Sequence, residues 1–273
     1  MGADHLDFRY LQLPSLCGYP GLFHGFSTRR GGVSWGAFSS LNLSFEVGDD
    51  PDAVEENRSR LRSDMGIENL PLVKVRQVHG DGISVIGEET VKRPGFPEEL
   101  LSHPADALVT GIPGVTLAIS VADCVPILLF DPRKRVIAAV HAGWRSTAAG
   151  LADKVVRTLR ETFGTRPEDC VVGIGPSIGI CCYEVDRPVM EAFAEFFPNW
   201  EGLVRDRGEG RWHLDLAQAN RILLQESGVN PKAISSSGRC VSCCRDLFFS
   251  HRRDGKRTGR TMGLIAMKTE VGQ

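Results

Sequence analysis

Residues 122–145 read Ala-Asp-Cys-Val-Pro-Ile-Leu-Leu-Phe, then Asp-Pro-Arg-Lys, then Arg-Val-Ile-Ala-Ala-Val-His-Ala-Gly-Trp-Arg. Two apolar runs separated by four turn-forming residues predict a β-hairpin. Asp131 and Pro132 suit the first two positions of a type I turn, because the carboxylate bonds backbone two residues on and proline presets φ. A turn over residues 131–134 sets Phe130 opposite Arg135 and, counting back, Cys124 opposite His141. Directly opposed residues on one face have Cβ atoms roughly 5 Å apart. A thiolate and an imidazole can then share one metal ion at about 2.3 and 2.1 Å. Pro126 cannot donate to the ladder, which predicts a bulge or an edge position nearby, and a one-residue slip would part the pair.

The surrounding chain is long enough, at 273 residues, to bury a large core, and it is read as a single domain over 1–273. Lys and Arg number 32 against 34 Asp and Glu, a formal net charge of -2, which excludes a general nucleic-acid or membrane-surface binder. No basic and apolar leader opens the chain, and no window approaches a membrane span. The expectation is a cytoplasmic protein, monomer or homodimer, with partners among small molecules. Eight cysteines in a chain of this size point to reduced thiols, some of them used for metal binding or catalysis.

Outward from the hairpin, Leu22 onward reads as a strand that runs into a glycine-rich loop, where Gly31, Gly32 and Gly36 permit close approach to a ligand or simply a long surface turn. A helix is predicted from Asp50 to Arg62 with Pro51 in its first turn, and Arg58 on it reads as a solvated charge or a ligand contact. Leu72–Val78 reads as a strand closed by His79-Gly80-Asp81-Gly82, followed by strands at 83–86, 107–110 and 115–121 with an exposed loop at 87–105. After His141 a helix is expected through Phe163, capped by Ser146 or Thr147. Its positive end and Arg145 would suit a phosphate or carboxylate, or simply pack on a sheet. Further elements are predicted at 171–175, 188–197, 214–228 and 262–267.

Cys240 and Cys243 form a CxxC that could join Cys181 and Cys182 in a tetrathiolate site. Paired-knuckle spacing is lacking, however, and free cysteines are commonly buried as small hydrophobes. One metal ion per chain is therefore the expectation. The cations from Arg245 to Arg260 suit either a solvated face or an anion contact.

Five segments in order, Gln77-Val78-His79-Gly80, Ala122-Asp123-Cys124-Val125-Pro126, His141-Ala142-Gly143-Trp144-Arg145, Gly175-Pro176-Ser177-Ile178-Gly179 and Phe249-Ser250-His251-Arg252-Arg253-Asp254-Gly255, resemble the laccase-domain proteins. This is the polyphenol oxidase or purine nucleoside phosphorylase family, YfiH/LACC1. The likeness extends to the Phe26-Ser27-Thr28-Arg29 segment, to Ser40-Leu41-Asn42-Leu43 and to Asn57-Arg58. Ser146, Ile180 and Val241 depart from the family's usual residues, and none is a proposed ligand. The resemblance implies an α+β fold with mixed β-sheets in a layered, YfiH-like α/β sandwich. It implies zinc held by His79, Cys124 and His141, phosphorolysis of adenosine, inosine and S-methyl-5'-thioadenosine, and some adenosine deamination. Within the matched segments Asp123 and Arg145 are the catalytic candidates, and Arg29, Asn42, Arg58 and Ser177 the substrate-binding ones.

Three ligands leave the fourth zinc position open, which suits Lewis-acid chemistry. The zinc-deaminase signature H-x-E with P-C-x-x-C is absent, since Gly80 and Asp81 follow His79 and Arg239 precedes Cys240. Two rivals stay open. Copper could use the same ligands in a polyphenol oxidase, although Met65, Met190, Met262 and Met267 lie far in sequence from any ligand that a blue-copper axis would complement. A cysteine hydrolase could pair Cys124 with His141, in which case His79 need not be a ligand.

Overall fold

A computed structural model describes residues 5–6 and 9–269. Two six-stranded mixed sheets pack face to face. The first runs His5–Leu6, Tyr10–Gln12, Leu22–Ser27, Thr261–Met267, Thr116–Val121, Leu72–Val73, antiparallel except for its last pair. The second runs Ile234–Ser236, Val171–Ile174, Val125–Asp131, Val136–Ala142, Ala107–Thr110, Ile83–Ile86, with parallel pairs at both ends. A small three-stranded sheet, Glu184–Val185, Arg211–Leu214 and Val204–Gly208, is not hydrogen-bonded to either but shares the helix-side core of the second through Val185 and Leu214. The α+β sandwich expected from the family resemblance is the fold observed.

The predicted hairpin lies at the centre of the second sheet, and every residue of both its strands is buried. Alternation divides its side chains between two cores. Val125, Ile127, Leu129, Val136, Ala138 and Val140 meet the helix Leu151–Phe163 through Leu151, Val155, Val156 and Leu159. Leu128, Phe130, Ile137 and Ala139 meet Leu117, Ile119 and Ile265 of the first sheet. The outer face of that first sheet carries Ala118, Met262 and Leu264 against Leu61 of the helix Pro51–Asp64. The order of layers is therefore helix, sheet, sheet, helix. Asp50 caps the Pro51–Asp64 helix by accepting from the Asp52 amide at 3.0 Å.

Three local expectations need correction. Asp131 remains inside the strand opposite Val136, and the loop is residues 132–135, with Arg135 at φ 52°. The Asp131 carboxylate does accept from the amides of Arg133 and Lys134, at 2.8 and 3.1 Å, as expected, but it does so from the last residue of the strand. The register is thereby displaced by two: Pro126, not Cys124, lies opposite His141. Pro126 also sits in a central strand, not at an edge or bulge. Its carbonyl accepts from Gly175 just beyond the last ladder residue, Ile174, so its missing N–H falls where the neighbouring strand has already ended. The helix after His141 is broken as well. Gly143 is the N-cap of a short segment, Trp144–Ala148, and Gly150 at φ 73° separates it from Leu151–Phe163. Ser146 and Thr147 are inside the first segment and buried, and the Thr147 hydroxyl accepts from Asn220 at 2.9 Å instead of capping.

The strand predicted over Leu72–Val78 is regular only at Leu72–Val73. Side-chain bonds replace the ladder beyond that point: Gln77 donates to the Ser120 carbonyl and accepts from the Ser120 amide, both at 2.8 Å. The loop expected over 87–105 contains short helical turns at Glu88–Val91 and Glu98–Ser102. No helix among the described residues is long and apolar enough to cross a membrane. The peptides Ser39–Ser40 and Ala122–Asp123 are cis.

His24, on the strand Leu22–Ser27, is 1% exposed, and its Nε2 accepts from the Leu13 amide at 3.1 Å. Burial pushes its pKa down to about 4 from 6.5. Between these values the unfolded chain binds the proton and the folded chain does not, so stability falls as pH drops through the window. At about 1.4 kcal/mol per pH unit, the expected loss from this group is about 3 kcal/mol. Urea unfolding across the window measures it. His24→Gln, which retains an acceptor for Leu13, is expected to remove that part of the pH dependence.

Candidate metal centre

His79, Cys124 and His141 come together at one rim of the interface between the two sheets. Their ligand atoms all lie within 4.8 Å of one another, and the two imidazoles meet edge to face with centroids 4.8 Å apart. The altered register does not disturb this, because a displacement of two residues preserves the face that a displacement of one would exchange. Cys124 therefore reaches His141 diagonally, from just before the first residue of its strand, Val125.

One buried carboxylate organises the centre. Asp106 is fully buried immediately before the strand Ala107–Thr110. Its Oδ1 accepts from His141 Nδ1 at 2.8 Å and from the His79 amide at 3.0 Å, while Oδ2 accepts from the amides of Val78 and Gly80 at 3.2 and 2.7 Å. Three successive amides converge on it because His79 adopts φ 59°, a left-handed conformation that curls the backbone into an anion-binding concavity. Burial raises the Asp106 pKa, but the His141 and amide bonds outweigh it and the group is held below the usual range. It is thus an anion that fixes His141 as the Nδ1–H tautomer, with Nε2 turned towards the other ligands. Burial also pushes the Cys124 thiol up, yet His141 and His79 beside it bring it down to about 6. His141, lowered by burial, is raised to about 9 by Cys124 and Asp106.

The donors fit a borderline transition metal: one soft sulfur and two imidazoles, one of them oriented by a carboxylate. Gly143 completes the cradle. A Cβ there would lie 3.1 Å from His79 Cδ2 and 3.2 Å from Cys124 Sγ.

A cavity of about 220 Å³ opens over the three ligands, walled by Ser44, Glu46, Val75, Gln77, Ser120 and Arg260 among others. Burial lowers the Arg260 pKa against opposing charge from Asp123, Cys124 and Glu46. Glu46 also lines an adjoining cavity of about 570 Å³ with Phe45, Arg58, Arg62 and Lys74. There, burial first and Arg58 second depress the Lys74 ammonium to about 8.

The other candidate residues are dispersed. Asp123 Oδ2 accepts from the Arg252 amide at 2.7 Å, and its Oδ1 is buried without a protein partner. Arg145 is exposed, its guanidinium 4.2 Å from the Trp144 ring centroid; burial, and after it the charges of Cys124, Arg252, Asp123 and Arg145, act on the half-buried Tyr183, whose pKa is raised overall. Arg58 lies 4.3 Å over Phe45 and donates to the Leu43 carbonyl. Asn42 is fully buried, donating to Ser44 and Asp49 and accepting from the amides of Ser44 and Arg260. Arg29 lines a separate cleft with Arg30, Arg245 and Arg253, and Ser177 another with Arg221 and Arg239. Asp106 and Gln77 do not emerge as site residues from the sequence. The hydrogen-bond pairing of Ala107 with Val140 is what sets Asp106 beside His141.

Residues 23–268 match the family model described as multi-copper polyphenol oxidoreductase laccase. The chain is 43% identical over 253 residues to a purine nucleoside phosphorylase of Deinococcus radiodurans, covering 92% of this chain and 91% of that one. It is 39% identical over 259 residues to purine nucleoside phosphorylase YlmD of Geobacillus stearothermophilus, covering 93% and 94%. The crystal structure of that YlmD superposes with a TM-score of 0.88 over 97% of this chain and 98% of the other. Adenosine deaminase RL5, from an unknown prokaryotic organism, is 37% identical over 245 residues, covering 89% and 93%.

If Asp106 sets the tautomer and aim of His141, Asp106→Asn is expected to weaken metal affinity roughly 10- to 100-fold. Competition against a chelator measures it. His79→Ala and Cys124→Ala, each deleting a ligand, are expected to lose the metal at this centre altogether.

Proposed function

The chain belongs to the multi-copper polyphenol oxidoreductase laccase family, and on that premise we propose that it is a zinc-dependent purine nucleoside phosphorylase. Its substrates are adenosine, inosine and S-methyl-5'-thioadenosine, with adenosine deamination as a side activity. The observation that carries this is the convergence of two imidazoles and a sulfur beneath a cavity that also holds a half-buried arginine, Arg260. Relatives along nearly the whole chain named purine nucleoside phosphorylase, and one named adenosine deaminase, support the same reading.

A zinc ion held by His79, Cys124 and His141 would supply Lewis acidity. In phosphorolysis a phosphate oxygen bonds the ribose C1' while the bond to the purine nitrogen breaks, giving ribose 1-phosphate and the free base. The chain must therefore hold a multiply charged anion and manage charge on the departing purine. Arg260 in the cavity wall and the exposed Arg145, two residues beyond Gly143, are the cations for these tasks, and Asp123 is the proton carrier. A cavity of about 220 Å³ is smaller than a whole nucleoside site usually is, so it takes the reacting end. The adjoining cavity beside Phe45 and Arg58 gives room for the rest.

Two other readings are less well supported. Among the described residues no methionine lines the cavity to act as a weak axial ligand to blue copper. A Cys124–His141 hydrolase would leave the placement of His79 without a use.

Adenosine incubated with and without phosphate, followed by chromatography, tests the proposal. Adenine release is expected to require phosphate. Arg145→Gln and Arg260→Gln are each expected to lose roughly 1.5 to 3 kcal/mol in phosphorolysis, the size of a charge-assisted hydrogen bond. Deamination uses water and should fall less, so the ratio of inosine to adenine rises. Phosphate-independent adenine release, or equal loss of both products in both variants, would overturn the assignment.

A further inference from the structure

Four other cysteine sulfurs meet away from the centre described above. Cys243 Sγ lies 3.5 Å from that of Cys181 and 3.4 Å from that of Cys182, and with Cys240 all four lie within 4.8 Å of one another. A disulfide would need about 2.05 Å. Sulfurs at the corners of a tetrahedron with zinc about 2.3 Å away lie roughly 3.8 Å apart. The observed spacing matches the second arrangement.

The backbone around the cluster is already arranged for a thiolate. The Gly179 amide donates to Cys240 Sγ at 3.3 Å. Burial raises the Cys240 pKa, but the amides of Gly179 and Cys243 and the neighbouring thiols lower it overall. Two loops are brought together here: Ser177 and Cys240 form a bridge, reinforced by the Val241 amide donating to the Ser177 carbonyl at 3.0 Å. Arg221 and Arg239 line the cavity that touches Cys181 and Cys240, placing positive charge beside a site that four thiolates and a divalent ion would leave at minus two. A Cβ on Gly179 would come within 3.2 Å of Cys240 Cβ and 3.4 Å of Cys181 Sγ, so the turn leaves the sulfurs room to converge.

We propose that Cys181, Cys182, Cys240 and Cys243 form a second, closed zinc site of structural type, distinct from the centre at His79, Cys124 and His141. All four positions of a tetrahedral ion are filled by protein, so it has no open position for chemistry. Its role is to clip the loop after Val171–Ile174 to the turn at 240–244. Those two segments flank Asp123: Ile178 donates to its carbonyl at 3.0 Å, and Arg252, a few residues beyond the turn, donates to its carboxylate at 2.7 Å. Zinc binding at the cluster therefore holds in place the chain that presents Asp123 and Cys124.

Elemental analysis of four proteins, expressed with zinc and purified without a metal-affinity resin, tests this. Wild type is expected to carry two zinc ions per chain, the double variant His79→Ala/Cys124→Ala one, Cys181→Ser/Cys243→Ser one, and the combination none. Cobalt substituted into the His79→Ala/Cys124→Ala protein is expected to show the intense long-wavelength bands of four thiolates. Should the serine variant not fold, the His79→Ala/Cys124→Ala protein is titrated with a mercurial, and one zinc is expected to leave as four thiols react. The proposal fails if that protein carries no zinc, or if its four cysteines are oxidised to disulfides. It also fails if Cys181→Ser/Cys243→Ser keeps the wild-type zinc content. The phosphorolysis reading stands or falls separately, on adenosine turnover and on the metal lost with His79 and Cys124.

Discussion

The carboxylate of Asp106 is the constraint on which the candidate metal centre depends. Removing an ion from water costs several kcal/mol even after relaxation. The group therefore persists as an anion only because four donors surround it, and hydrogen bonds to charged groups contribute roughly 1.5 to 3 kcal/mol each. Three of those donors are amides of consecutive residues, which forces the left-handed turn at His79, and the fourth is the His141 ring. A single buried charge thus aims one ligand through its side chain and the other through its backbone. Asp123, adjacent to Cys124 in sequence, has a different environment: one oxygen bonded to an amide, one without a partner. The two acids therefore differ: Asp106 is fully bonded and orients His141, whereas Asp123 keeps one oxygen unbonded.

Precise aiming also needs a rigid base, and the central hairpin provides it. Both its faces are covered, one by a helix and one by a second sheet, so its strands carry almost no polar side chains to choose between. Asp131 at the turn and His141 at the open end are the exceptions, and His141 lies where the cores give way to the cavity. Gln77 performs a comparable service for His79. By bonding both the amide and the carbonyl of Ser120, it ties an irregular segment to a strand of the first sheet. One ligand is consequently anchored to each sheet through neighbouring residues, with Cys124 supplied by the chain that enters the hairpin.

The parts legible in the sequence were those with a strong local period. The hairpin, the helix behind it and the Pro51 helix follow from apolar spacing and capping residues. The grouping of His79, Cys124 and His141 follows once motif order is added. What the sequence concealed was decided across space. The hairpin register turned on whether Asp131 ends a strand or begins a turn, since its carboxylate makes similar bonds in either arrangement. Asp106 lacks any local signature, because a single acid before a short apolar run reads as a turn residue until the pairing of Ala107 with Val140 is known. The helix break at Gly150 is likewise tertiary: a Cβ there would lie 2.8 Å from Phe196, from an element nearly fifty residues away. Asn42 inverts the usual expectation for a polar residue in a matched motif. Fully buried, it bonds the Arg260 amide, and so acts on the cavity through the arginine it positions.

The cysteine cluster belongs to the same class of hidden feature, and the reason bears on how the site is built. A CxxC and a CC separated by nearly sixty residues lack the even spacing of two knuckles, so the sequence argues against treating them as one set. The sheet removes that objection. Val171–Ile174 and Ile234–Ser236 run parallel and adjacent, and the loops that leave their ends in the same direction carry one cysteine pair each. Parallel pairing places both exits at one edge, which is the edge from which Asp123 and Cys124 enter the hairpin, because Val125–Asp131 is the next strand and runs the opposite way. Strand order alone therefore gathers the four thiols, Asp123 and Cys124 at a single end of the sheet.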